Sequence, residues 1–170
     1  MKEPALNAAL SAVDAFARDN DYASAMELCE STLMQAPAEF RHRILGWKAN
    51  VEWKLGDKYV ALALVEQAKE SNPNWAGHLH KMARWQLELG EFDAAKETAK
   101  ELIDLERRRG SSAFLDAGRF IGAYASLKKG DYQCAYDWAS EIEDTEPVWL
   151  GGKLISRGEI LGEARSRNAV

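Results

Sequence analysis

The chain has 170 residues, enough to bury a hydrophobic core without disulfide or metal staples. Hydrophobic residues are 46%, charged residues 29%, and there are only 12 glycines and 4 prolines, which excludes collagen-like and low-complexity classes. The net charge of −5 argues against a general nucleic-acid binder, which needs a basic face to displace counterions, while leaving room for a local basic patch.

The opening run Met1 to Leu10 places Glu3 and Pro4 where a secretory leader needs a basic start and an unbroken apolar stretch. No segment approaches the roughly 20 apolar residues of a membrane span, and neither end carries a lipidation motif. Cys29 and Cys134 lie far apart and fit no disulfide framework. Two buried thiols in a reducing compartment are expected, with one long-range disulfide as the alternative. The expected location is cytoplasmic, without membrane contact.

Along the chain four short strings recur: Asn20-Asp21-Tyr22, Gly56-Asp57-Lys58-Tyr59, Gly90-Glu91-Phe92 and Gly130-Asp131-Tyr132. Their first residues are spaced 36, 34 and 40 apart, and Ala25, Ala61, Ala95 and Ala135 follow at a constant offset. Pro37, Pro73 and Pro147 stand at a second constant offset, where the third copy has Arg107. The chemistry is that of two helices joined by a tight turn. Gly or Asn ends a first helix, A, in the left-handed conformation. Asp or Glu suits the first turn of a second helix, B. The aromatic packs over the turn, the alanine lets A and B approach closely, and proline closes B.

Between these marks the hydrophobic period is helical. Ala61, Leu64, Val65 and Ala68 fall on one face, as do Leu79, Met82 and Ala83 in the next helix. No stretch alternates long enough to argue for a strand, so an all-α chain of roughly eight or nine helices is expected.

This pattern resembles the tetratricopeptide repeat (TPR) family, whose unit is about 34 residues with two antiparallel helices. Glu66 to Asn74 looks like the end of its helix B, and Gly130 to Ala135 like its turn. The resemblance covers about Leu6 to Pro147. It implies one domain over 1–170, a right-handed superhelix of antiparallel helical hairpins, with repeats at about 6–39, 40–74, 75–110 and 111–147. The segment 148–165 lacks a second hairpin mark but carries Val148, Trp149, Leu150, Leu154, Ile155, Ile160 and Leu161. A terminal repeat needs its open face covered, so this segment reads as a capping helix, with a frayed tail from Ser166 to Val170. The chain departs from the family pattern at Ala9, near Lys58, at Arg119, Gly122 and Ser126, and in extra residues around Glu106 to Ser112.

Catalytic constellations are sparse. No phosphate loop, dinucleotide fingerprint or nucleophile elbow is present, and the pair Gly151-Gly152 lacks a phosphate-loop frame. Of the three histidines, His42, His78 and His80, the last two are two apart on a helix and point to nearly opposite sides, so no metal site is expected. The carboxylates Glu101, Asp104, Glu141, Glu143 and Asp144 read as solvated helix faces. Arg107, Arg108 and Arg109 read as a helix end stopped by Gly110, or alternatively as an anchor for an acidic partner or phosphates. Neither an enzyme nor a cofactor is expected.

Binding residues follow from the resemblance, which implies a concave groove lined mainly by the A helices. The groove-facing candidates are Arg43, Asn50, Trp53 and Lys54 in the second repeat. In the third they are His80, Lys81, Arg84 and Leu87, and in the fourth Phe120, Tyr124 and Lys128. Core packing is the alternative for Phe120 and Tyr124. The set is basic and aromatic inside an acidic protein, which suits a partner protein or peptide with acidic and apolar residues. Of six tryptophans, Trp53 and Trp85 are the expected exposed interface anchors. A subset of the family clamps a chaperone's terminal carboxylate with Lys and Asn. Leu10, Asp14 and Gly77 occupy those places here, so that clamp is not expected. The expected function is a non-catalytic protein-interaction module, with self-association possible. The alternatives are a toxin-neutralising immunity protein or secretion chaperone, and then a nucleic-acid-associated repeat protein.

Overall fold

The structure, a computed structural model, describes residues 1–144, 146–150 and 152–168. Among them are nine α-helices and one two-stranded antiparallel hairpin. The chain divides into two compact units, Met1–His78 and Leu79–Val170.

The first unit holds α1 (Glu3–Arg18), α2 (Tyr22–Gln35), α3 (Ala38–Leu55), α4 (Lys58–Ser71) and the opening residues of α5 (Ala76–Glu88). The hairpins α1–α2 and α3–α4 are its antiparallel pairs. Each turn is built as its sequence demands. Asn20 and Gly56 take φ of 60° and 101°, a left-handed step that closes helix A. Asp21 and Asp57 then stand at N-cap, just ahead of helix B. Their carboxylates accept from Ser24 N at 3.1 Å and Val60 N at 3.2 Å, satisfying donors the helix cannot. Leu6, Leu10 and Val13 pack with Ala25, Cys29, Ile44 and Val51 to form the core.

The second unit holds the rest of α5, then α6 (Phe92–Arg109), α7 (Leu115–Lys129), α8 (Tyr132–Ser140), β1 (Val148–Leu150), β2 (Lys153–Ile155) and α9 (Arg157–Asn168). Gly90 and Gly130, both at φ 78°, repeat the turn, and Asp131 caps α8 through Cys134 N at 3.2 Å. Glu91 is at the same place ahead of α6 but makes no side-chain cap bond, its carboxylate standing one methylene further out. The four marker alanines, Ala25, Ala61, Ala95 and Ala135, are completely buried, as a close helix crossing requires. Tyr22, Phe92 and Tyr132 pack against their unit's core. Tyr59, one residue further from its glycine, is 67% exposed instead.

The departures from the repeat have local explanations. Gly122 faces the ring of Trp138, which occupies the space a Cβ would need, so α7 is small where α8 is large. The extra residues lengthen α6 to Arg109 and form the short connection 110–114, which is tied to Glu106. Glu106 is 1% exposed and accepts from Ser111 Oγ at 2.8 Å and Phe114 N at 2.9 Å.

Two expectations for the C-terminal segment are corrected. The segment 148–165 is not one capping helix, and the chain is not without strands. Val148 pairs with Ile155, Trp149 with Leu154 and Leu150 with Lys153 around a turn in which Gly152 takes φ 80°. A helix needs a continuous apolar stripe. Here β-branched and aromatic residues alternate instead, burying Leu150 and Ile155 on one face and exposing Trp149 and Leu154 on the other. Only α9 is helical, and it continues through Asn168, past the expected fraying at Ser166; Ala169 and Val170 lie outside the described residues, as does Gly151. Its Arg157 donates to the carbonyls of Ala139 at 3.1 Å and Ser140 at 3.3 Å, closing the end of α8.

Candidate functional site

The A helices are α1, α3, α5 and α7, and each unit has a pocket on them. In the first unit α1 supplies Asn7, Leu10, Ser11, Asp14 and Arg18, and α3 supplies Arg43 and Trp47, around about 370 Å³. The cations there are already matched. Arg43 donates to Asn7 Oδ1 at 2.6 Å and contacts Glu3 Oε1 at 3.4 Å, and Arg18 meets Asp14 at 3.2 Å.

In the second unit a pocket of about 270 Å³ is bounded by His80 and Arg84 of α5, by Ala117, Phe120 and Ile121 of α7, and by Val148, Trp149 and Leu150 of β1. Burial, with the Arg84 and Lys81 charges beside it, holds the His80 imidazole at a pKa of about 4, so it is neutral at pH 7. Its ring lies 5.0 Å from that of Phe114. Burial also brings the Lys81 ammonium down to about 8, with Nζ 5.6 Å from the Trp85 ring centroid.

The structure thus brings three of the candidate residues, His80, Arg84 and Phe120, to one pocket and places Arg43 in the other. On α3, Asn50 is half-buried and Lys54 exposed, on the same side as Arg43 and Trp47 at helical spacing. Leu87 at 3%, Phe120 at 1% and Tyr124 at 4% exposure are core residues, Phe120 forming part of the pocket floor. Lys128 lies over the Tyr124 ring at 5.2 Å and Lys153 at 5.8 Å. The expected exposed tryptophans are corrected as well. Trp85 is 8% exposed and Trp53 is half-buried with Lys58 over its ring, whereas Trp75 at 48% and Trp149 at 61% are the open ones. Trp149 was hidden from helical reasoning because it belongs to a strand.

A second feature invisible in the sequence is the pairing of His42 with His78, 36 residues apart. Their Nδ1 and Nε2 are 3.0 Å apart, both side chains are buried, and Asn72 Nδ2 lies 3.2 Å from His42 Nε2. One ring nitrogen must donate and the other accept. Burial and the Arg43 charge hold His42 below the usual histidine value. The pair joins α3 to the start of α5 within the first unit. Among the described residues, no three His, Cys, Asp or Glu side chains form a group able to hold a metal ion.

The arginine run ends α6 at Gly110, with Arg107 3.5 Å from Glu141 and Arg109 3.5 Å from Glu106. Both cysteines are unbridged, and burial pushes the Cys29 thiol up to about 11, away from nucleophilic use. No helix among the described residues is long and apolar enough to cross a membrane.

Neither a protein-family model nor a curated protein matches the chain. Among solved structures it is similar to the nearly identical TPR-like repeats of a protein described as a kinesin light chain of Podosopora anserina. Two crystal structures of those repeats each give 16% identity and a TM-score of 0.73, covering 99% of this chain and 89% or 90% of theirs. It is also similar to MamA, at 12% identity and a TM-score of 0.61, over 95% of this chain and 77% of that one. The chain has the fold of the TPR-like helical-repeat proteins.

Proposed function

We infer that the protein is a cytoplasmic, non-catalytic module that binds a segment of another protein on the exposed faces of its A helices. The observation that carries this reading is the recurrence of one arrangement in both units. Each has an A-helix pocket with an arginine and a partly or largely open tryptophan: Arg43 with Trp47, and Arg84 with Trp149. Arginine and large aromatics are the residue types that dominate binding energy at protein interfaces. The TPR-like fold supports the same reading, because stacked helical hairpins offer extended surfaces rather than a deep reaction site. The Arg84 cation beside apolar walls in a protein of net charge −5 favours partner segments that carry acidic as well as apolar residues.

The test is capture of partners from the lysate of the protein's own host, with the tagged protein and a variant carrying Arg43→Glu and Arg84→Glu. One protein held stoichiometrically by the unsubstituted chain should be lost at least about tenfold by the variant, with helix content unchanged by circular dichroism. Equal capture by both would take binding off these faces. Recovery of nucleic acid alone, released on raising salt, would replace this reading with the nucleic-acid one. A toxin or a secreted substrate as the captured protein would identify the role as neutralisation.

A further inference from the structure

The second unit's pocket has a wall that no helical repeat supplies. Two sides are α5 and α7, and the third is β1, whose Trp149 is 61% exposed and paired across the strands with Leu154, 56% exposed. At about 270 Å³ the space falls below the range of sites that enclose a drug-sized ligand or cofactor, and suits one bulky side chain. The lining is apolar apart from His80 and Arg84. His80 is neutral and can donate or accept a hydrogen bond without adding charge. Among the described residues Arg84 is therefore the only charged one lining the pocket, and no carboxylate lines it. Among the described residues Arg84 has no hydrogen bond or ion pair, whereas Arg43 in the first unit's pocket has two partners. A half-buried guanidinium beside apolar walls favours a carboxylate brought from outside, which it can hold through two parallel hydrogen bonds.

We propose that this pocket anchors a residue pair in the partner segment: a large aliphatic or aromatic side chain next to Asp or Glu. The apolar side chain packs against the exposed Trp149 ring over a floor of buried Phe120 and Ile121, and the neighbouring carboxylate meets Arg84. The assignment rests on the reading that the A-helix faces bind protein, and adds which pocket anchors and what it selects. The hairpin makes the selectivity: its buried face, Leu150 and Ile155, secures it to the unit, and its open face leaves the Trp149 ring to be covered by the ligand.

A display library of random peptides, selected on the full-length protein, is the probe. Selected sequences should be enriched in Leu, Phe or Trp adjacent to Asp or Glu. The affinity of an enriched peptide, read by fluorescence anisotropy, should fall at least about tenfold with Arg84→Ala and with Trp149→Ala. Changing the peptide's acid to its amide should cost as much, and Arg84→Lys should recover only part of the loss, because an ammonium lacks the bidentate fork. Arg43→Ala should leave this peptide's affinity unchanged. Both variants of the pocket should melt with the unsubstituted protein, since Arg84 loses no partner and Trp149 is mostly exposed. Peptides lost with Arg43→Ala but untouched by Arg84→Ala and Trp149→Ala would overturn the anchor while leaving the A-helix reading intact. A selection with no binders, or binders indifferent to all three substitutions, would overturn both.

Discussion

The two A-helix pockets are built from the same repeat, yet their arginines live in different electrostatic circumstances. In the first unit Arg43 and Arg18 are answered by Asn7, Glu3 and Asp14, all supplied by α1. In the second, Arg84 lines a pocket with Phe120, Ile121 and Trp149 and has no hydrogen bond or ion pair among the described residues. A pocket whose charges are internally paired gains little from a charged ligand, because binding must first break existing contacts. One with an open cation and uncovered aromatic surface gains from both. The comparison teaches that position on the repeat does not by itself define a binding site; what surrounds the position does.

The largest expected effect tests whether the open pocket is held by packing behind it. Gly122→Val would drive a side chain into the Trp138 ring and push α7, which carries Phe120 and Ile121, off α8. It should cost about 3 kcal/mol in denaturant unfolding, the upper range for overpacking. A cost under about 0.5 kcal/mol would show that α7 and α8 slide freely and that the pocket wall is not fixed.

The next effect is a pH dependence that falls on both units. His80 titrates near 4 in the folded chain and His42 below its ordinary value, while both titrate near 6.5 when unfolded. The fold therefore favours the neutral rings. Their contribution is complete above about pH 6.5 and is lost as pH falls through the folded values. For His80 the loss should reach roughly 2 kcal/mol by pH 5. Urea titrations at pH 7 and pH 5 measure it, and His80→Gln should shrink the difference. An unchanged difference in that variant would assign the acid sensitivity elsewhere.

Smaller effects sharpen the contrast at the turns and the arginines. Asp57→Ala removes an N-cap bond and should cost about 1 kcal/mol. Arg43→Ala should cost under about 1 kcal/mol, as exposed pairs do, and Arg84→Ala nothing measurable without ligand. Equal costs for the two arginines would erase the distinction between closed and open pockets. The smallest change is a gain. Glu91→Asp would restore the cap bond that Asp21, Asp57 and Asp131 make and should stabilise by about 0.5 kcal/mol in the same titration.

Much of this fold could be read from the chain. The marks at Asn20, Gly56, Gly90 and Gly130 are local chemistry: a left-handed residue, a cap and a small residue at a crossing. Each needs only its neighbours to be recognised. The candidate site was legible in part. Arg43, Asn50, Lys54, His80 and Arg84 keep partly open faces because helical spacing fixes which way they point. Tyr124 is buried because α7 is covered nearly all round, Phe120 through Leu127 being buried without interruption, which no single-face pattern predicts, and Leu87 of α5 packs into the same core. Trp149 was out of reach for another reason. Hairpin 148–155 is three residues a side, too short for its alternation to stand out from an apolar helical stripe.

The sequence by itself determined the all-α hairpin pattern, the four turns and the buried alanines, because each rests on contacts between residues a few places apart. Only tertiary structure decided the rest. It paired His42 with His78, closed Glu106 on Ser111 and Phe114, and matched Arg43 with α1 while leaving Arg84 open beneath a strand. The physical reason is that a side chain's charge state and availability depend on what packs around it, and that is settled by residues far away in sequence.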